Sequence, residues 1–468
     1  MGCRRSLGRR VALGCGGLIG LVIILVVAAY LILQAVGARQ VNAAVARIKA
    51  SGAPTTWEEA IPPPVPDDQN AALLYEKAFA AITLDKVQTK PRPRYPPYPY
   101  PPEKKRTHPQ RVALGNYMAA ATSQKRRPLE NAARKILADN ARALSYARQA
   151  VKRPKCRFNR NWDDPLWMLT PELSRLKDLS RLTSVRAVLQ ADRGDLAGAL
   201  DSWPINLSIA NHLEGDPSLL GQLTRYSVLH VATASLRGIL QDDGLSREQC
   251  LDLARGLGRV NIGQAFIKCF EAERSSSLST LDYLRKKPLW TLDYVRKKPQ
   301  GLASYASLWY RAVGPFDQAA MLRYWEKQIA LARRPYRESS SRFDALSDDI
   351  PGYALFTRAL EPSFGRAVGA RDGAIAEVGL MRIGLGLGAY RTECGEYPDS
   401  LDGLRRALKW DVPEDPFSGK DFVYRREGAG DLLYSIGPDL KDNGGAPMTT
   451  TKKPPIARVG DIVWRMER

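Results

Sequence analysis

The sequence predicts a mainly α protein with an N-terminal transmembrane helix, an extracytoplasmic helical domain and a small C-terminal α+β domain. Three observations carry that reading. An uncharged apolar run lies near the N-terminus, apolar residues recur at three- and four-residue steps through the middle of the chain, and the texture turns rich in glycine and turn residues after about residue 374. The 468 residues are 44% hydrophobic and 25% charged, which excludes whole-chain disorder. Lys and Arg outnumber Asp and Glu by 70 to 49, for a net charge of +21. The three histidines, His108, His212 and His230, have no second His or Cys at ligand spacing, which argues against a zinc site or a His-based hydrolase.

From Val11 to Ala38 no residue is charged. A helix needs about 20 apolar residues to cross the hydrocarbon of a bilayer, where only internally bonded backbone is tolerated. Arg4, Arg5, Arg9 and Arg10 precede the run, while Arg39, Arg47 and Lys49 follow it more thinly. The bias places the tip, 1–10, in the cytoplasm, the span at 11–38, and the bulk of a single-pass inner-membrane protein outside. A cleavable signal peptide ending near Val36, Gly37 and Ala38 is the competing reading, although the run exceeds the ~7–15 residues of a usual signal core. The six cysteines include no CxxC pair; a Cys250–Cys269 disulfide and buried free thiols are both compatible with the sequence.

Residues 39–127 read as a linker with short helices and a proline-rich segment. Val41 to Ile48 is helical, Ile61 to Pro66 is extended because consecutive prolines cannot donate, and Asn70 to Ile82 is helical again. Lys90 to Pro109, rich in Pro, Tyr and basic residues, suits an exposed polyproline segment. Residues 128–373 read as a helical domain. Leu176, Leu179, Leu182, Val185, Val188 and Leu189 line one helical face; Arg193-Gly194-Asp195 turns the chain, and a helix resumes over Leu196 to His212. Further helices are expected at Ser218 to Leu240, at Ser246 to Leu257 behind a Ser246/Gln249 capping box, at Ile262 to Arg274 and at Asp317 to Arg333. A nine-residue sequence recurs eleven positions on, at Thr280 to Pro288 and Thr291 to Pro299. It offers Arg285, Lys286, Lys287, Arg296, Lys297 and Lys298 either to water or to an anionic surface such as lipid headgroups. An extracytoplasmic position leaves no nucleic-acid partner expected.

In the last segment, 374–468, Ala376 to Tyr390 forms a glycine-bearing helix, Glu396 to Leu404 a turn and short helix, and Phe422 to Arg425, Asp431 to Ser435 and Asp461 to Trp464 short strands. The order resembles the C-terminal globular half of the major pseudopilins of type II secretion. The matching features are the helix ending in Tyr390-Arg391, the turn with Gly395, Tyr397 and Pro398, the link Asp415-Pro416-Phe417, Leu433 to Asp439, and the closing Asp461-Ile462 with Trp464. The resemblance implies a calcium site in the loop before the last strand, with Asp439 and Asp461 as carboxylate ligands and Ile436 through its carbonyl; Asp442 is added as a neighbouring candidate. The residues alone suit calcium, with clustered carboxylates beside Asn443, Gly444 and Gly445, and equally suit a solvated Asp-Gly turn. The chain departs from the family in lacking a Phe-Thr-Leu-x-Glu start and any glutamate in the span, and in placing roughly 300 residues between span and head.

The function expected is that of a membrane-anchored, non-enzymatic bacterial envelope protein in structural or secretion-related assembly. The alternatives are a carboxylate-dependent envelope hydrolase drawing on acids such as Glu58, Glu59, Asp163, Asp164, Asp348 and Asp349, and a binder of anionic surfaces or nucleic acid.

Overall fold

The computed structural model describes residues 3–84, 108–120, 122–163, 168–240, 245–286, 300–360, 364–427, 430–450 and 458–466. The proline-rich segment falls mostly outside these residues, as does Asp164. So does the basic duplication, of which only the backbone of Arg285 and Lys286 is described.

With no proline before Pro54, the N-terminal run has nothing to stop a helix, and α1 continues unbroken over Cys3–Ala50. It is long and apolar enough to cross a membrane. Among the described residues, large apolar side chains from Leu18 to Val36, including the whole stretch Leu21 to Val27, are 40–66% exposed. Past that stretch the same helix is sewn into the body. Gly37 closes on Pro315 so tightly that a Cβ there would lie 2.7 Å from the proline ring. Ala44 and Ile48 form a small core with Leu322, and Arg47 reaches Glu326 at 3.2 Å. The linker expected from residue 39 therefore begins only at the turn around Gly52.

The main body is built of helices. A first group comprises α2 (Ala72–Ala81), α3 (Pro109–Ala119), α4 (Glu130–Asp139) and α5 (Ala141–Ala150), all resting on α6 (Pro171–Asp192). Gly194, with φ +78°, turns the chain, and the Asp195 carboxylate caps the next helix by accepting from the Gly198 N–H at 2.9 Å. The single helix expected to His212 is two, α7 (Leu196–Ser202) and α8 (Pro204–His212). Pro204 has no N–H to continue the ladder, and the Trp203 indole instead donates to the Ala232 carbonyl at 2.8 Å. Then follow α9 (Leu219–Leu240), α10 (Arg247–Gly258) behind the expected Ser246/Gln249 capping box, and α11 (Gly263–Lys286). The next helix, α12 (Gln300–Ala332), starts well before the expected Asp317 because Pro315 is accommodated inside it, where its ring meets Gly37. Two short helices, α13 (Tyr336–Ala345) and α14 (Leu355–Leu360), lead to α15 (Gly365–Cys394). Cys250 and Cys269 are both buried free thiols.

The position read as a module boundary, 374, lies inside α15. One flank of α15 packs on α9 and α10, and the other carries an antiparallel sheet in the order β1 (Val423–Glu427), β2 (Gly430–Ser435), β5 (Ile462–Met466). Between them lie α16 (Leu401–Leu408), capped by the Ser400 hydroxyl, and a two-residue ribbon of β3 (Thr449–Thr450) and β4 (Arg458–Val459). The sheet approaches α15 at glycines: a Cβ at Gly384 would lie 2.6 Å from the Trp464 ring, and one at Gly379 would lie 2.9 Å from Phe422. Helix and sheet thus share one core with the helical body.

Gly384→Ala is expected to destabilise the protein by about 1–3 kcal/mol, since Trp464 is fixed on a strand and cannot yield. Gly373→Ala, on the same helix with open space where the methyl would go, is expected to stabilise by about 0.5–1 kcal/mol. Denaturant midpoints of the two variants in detergent check the contrast.

Candidate functional site

Side chains alternate across a strand, so Asp431, Leu433 and Ser435 of β2 share one face and Leu432 and Tyr434 the other. Leu433 lies opposite Trp464 of β5, and both belong to the core shared with α15. Asp431 is therefore an ionisable group on the apolar face of the central strand. It is 1% exposed, and neither carboxylate oxygen has a hydrogen-bond partner. The indole N–H of Trp464, also 1% exposed, has none either.

Both residues line a cavity of about 340 Å³ at the junction of body and sheet. Leu240 ends α9, Leu245 precedes α10, Cys250 comes from α10, and Gly384, Leu387, Gly388, Arg391 and Thr392 from α15. Gly395 takes a left-handed conformation, φ +81°, to end α15 and bring Tyr397 back over Arg391. The Arg391 guanidinium sits 5.2 Å from the Tyr397 ring centre and donates to its hydroxyl at 3.3 Å. A second guanidinium, Arg237, lies 4.9 Å from the centre of the Trp464 ring.

Loss of water raises the Asp431 carboxyl to about 6, with Arg391 acting in the opposite direction. Burial pushes the Cys250 thiol up to about 11, so at neutral pH it is not a thiolate nucleophile.

The acids noted along the sequence sit elsewhere. Glu59 completes a capping box with Thr56, Asp349 pairs with Lys327 at 2.6 Å, and Glu58, Asp163 and Asp348 are exposed. Among the described residues, Asp431 is the carboxylate that lines the cavity.

The loop 436–447 gathers the residues assigned to calcium. Asp461 accepts from the backbone N–H of Asn443 at 3.2 Å and of Gly445 at 2.7 Å. Asp439 accepts from the N–H of Gly460 at 3.0 Å and from the Asn443 amide at 3.1 Å. Asp442 turns to the sheet, accepting from the Tyr434 hydroxyl and the Gly444 N–H, both at 2.8 Å. Burial first, and Asp442 second, push the Tyr434 phenol up to about 12. Ile436 packs its side chain on the core and donates its N–H to Asp415 at 3.4 Å. Asp439 and Asp461 are oxygen donors of the type calcium takes, two of the six to eight oxygens it needs, and their lone pairs already receive amide hydrogens. Among the described residues no group of three or more His, Cys, Asp or Glu side chains is arranged to hold a metal ion.

Two organising residues escaped the sequence reading. Asp415, from the Asp-Pro-Phe link, is 1% exposed and accepts from Phe417 N–H, Ser418 N–H, Ser435 Oγ and Ile436 N–H, at 2.7–3.4 Å. Asp431 carried a readable signal, an acid in register with the inward Leu433. Comparison with family models, curated proteins and solved structures gave no match.

Because the folded-state value of Asp431 is raised, its contribution to stability is fully present below pH 3.8 and lost as pH rises through about 6. Asp431→Asn is therefore expected to be more stable than the parent at pH 7.5, by up to about 3 kcal/mol, and to gain nothing at pH 4. Urea unfolding of both proteins at the two pH values checks the sign.

Proposed function

We propose that this chain is a single-pass, membrane-anchored, non-enzymatic protein of the bacterial envelope, which holds a pseudopilin-like C-terminal module in a structural or secretion-related assembly. The observation that carries the reading is α1. One end presents uncovered apolar side chains over the length a bilayer needs, and the other end is bonded into the folded body without a break. Such a tether fixes the body's distance and angle from the lipid. The basic tip and sparser charge on the exit side support an inner-membrane topology with the N-terminus inside and the bulk outside. A long helix laid across a small antiparallel sheet, followed by an irregular acidic loop, is what the pseudopilin resemblance leads one to expect of the module. The resemblance further supports a calcium ion held by Asp439, Asp461 and the Ile436 carbonyl, with Asp442 beside them.

Cys394 is exposed, while Cys250 and Cys269 are buried. A membrane-impermeant maleimide added to intact spheroplasts is expected to label the parent and not Cys394→Ser; labelling that requires lysis would reverse the topology. Millimolar calcium is expected to raise the melting temperature of the parent by several degrees and not that of Asp439→Asn/Asp461→Asn. Equal curves with calcium and with chelator would remove the metal and leave the anchor reading intact.

A further inference from the structure

We propose that the cavity between α10, α15 and the sheet binds a small ligand carrying a protonated amine beside an apolar group, with Asp431 as its counter-charge. The inference goes beyond the anchoring role and does not depend on it.

Asp431 lines the cavity and its two oxygens are buried without a partner, and a buried anion left in that state is costly until a donor reaches it. An ammonium group offers three donors and the opposite charge. The cavity, about 340 Å³, is at the small end of ligand pockets and of a size for one amino acid rather than a nucleotide or an oligosaccharide. Leu240, Leu245 and Leu387 supply apolar wall, and the bare position Gly388 leaves room. The unpartnered Trp464 indole N–H adds one donor for a carbonyl or carboxylate oxygen of the same ligand.

Competing ligand classes meet specific obstacles. Among the described residues a metal ion would find one carboxylate and a protonated thiol, too few oxygens for calcium or magnesium. A sugar would look for an aromatic face, but Gly384 presses on the Trp464 ring and Arg237 stacks against it. A simple anion would face the Asp431 charge. An α-amine beside an apolar side chain answers Asp431 and the leucines, and an adjoining carbonyl or carboxylate oxygen answers the Trp464 N–H and offsets the Arg391 charge. A free amino acid and a peptide N-terminus both present that chemistry.

The test uses full-length protein in detergent and calorimetric titration at pH 7.5 with four probes: leucinamide, leucine, Leu-Gly-Gly and 4-methylpentanoate. The three amines, or a subset that includes leucinamide, are expected to bind, and the amine-free acid is not. Leucine without Leu-Gly-Gly identifies a free amino acid; binding of Leu-Gly-Gly identifies a chain end. Arg391, Tyr397 and the Cys250 thiol are the other charged or titratable groups lining the cavity, and Arg237 stands behind Trp464. Leucinamide affinity is expected to fall about tenfold from pH 7.5 to pH 5, as the charged fraction of Asp431 falls. Asp431→Asn, a neutral isostere, is expected to fold and to lose leucinamide binding. Gly388→Val, whose added Cβ would sit 3.6 Å from the Cys250 sulfur, fills the space while leaving Asp431 in place and is expected to lose it too. The proposal is overturned if leucinamide gives no heat, if 4-methylpentanoate binds as well, or if either folded variant binds like the parent.

Discussion

The close approach of Trp464 to Gly384 governs how the C-terminal part of the molecule is assembled. A sheet normally packs about 10 Å from its neighbouring layer; here the indole lies against helix backbone because α15 carries no side chain at that point. The strand opposite Trp464 is thereby pressed toward α15, bringing Leu433 into the core and Asp431 to the buried wall of the cavity beside it. The same helix packs its other flank on α9 and α10, so sheet and helical body cannot move apart without tearing a common core. The cavity follows from this geometry. It lies where three elements meet at glycines and no side chain is large enough to fill the gap.

A second constraint acts at the other end. A single helix presents two kinds of surface, with exposed Leu, Ile and Val as far as Val36 and a narrow contact stripe from Gly37 onward. The switch needs no sequence break, only a change in which residues are small. Gly37 admits the Pro315 ring, and Ala44 and Ile48 then repeat at helical spacing toward Leu322. Pro315 costs α12 one backbone hydrogen bond, and the contact with Gly37 is what its ring gains in return. The apolar helix and the body are therefore joined without a break.

What could be read in the sequence was what local periodicity encodes. The apolar run, the α6 stripe from Leu176 to Leu189, the Ser246/Gln249 capping box and the three strands of the sheet all arose from patterns within a dozen residues. What could not be read depended on partners far away in sequence. Pro315 looks like a helix stop until Gly37 is set against it, 278 positions earlier. Pro204 looks tolerable within a helix until Trp203 turns to reach Ala232. The boundary at 374 marks a true change in composition, yet α15 crosses it because a helix stops at caps and not at changes of neighbour. In the acidic loop the sequence located Asp439, Asp442 and Asp461 together, but could not tell that each would find amide or hydroxyl donors within the loop and sheet.

Asp415 and Asp431 sharpen the distinction between architecture and an available site. Both are 1% exposed, and both lie in the C-terminal part of the chain. Asp415 accepts four hydrogen bonds and so ties the Asp-Pro-Phe turn to the end of β2; its charge is spent on holding backbone in place. Asp431 accepts none, and its neighbours Leu387, Gly384 and Trp464 bring no acceptor or donor that reaches it. On the same face Leu433 joins the core and Ser435 finds a partner in Asp415, so Asp431 alone of the three is a polar group without a bond. An unpaired buried carboxylate contributes nothing to the sheet, and its cost is a sizeable fraction of the ~5–15 kcal/mol by which a domain is usually stable. Within the protein, the charge of Arg391 partly offsets the burial of Asp431 without a hydrogen bond to either oxygen. A donor arriving from outside is the one event that would convert its desolvation from a liability into binding energy, and the cavity is the route by which such a donor can come.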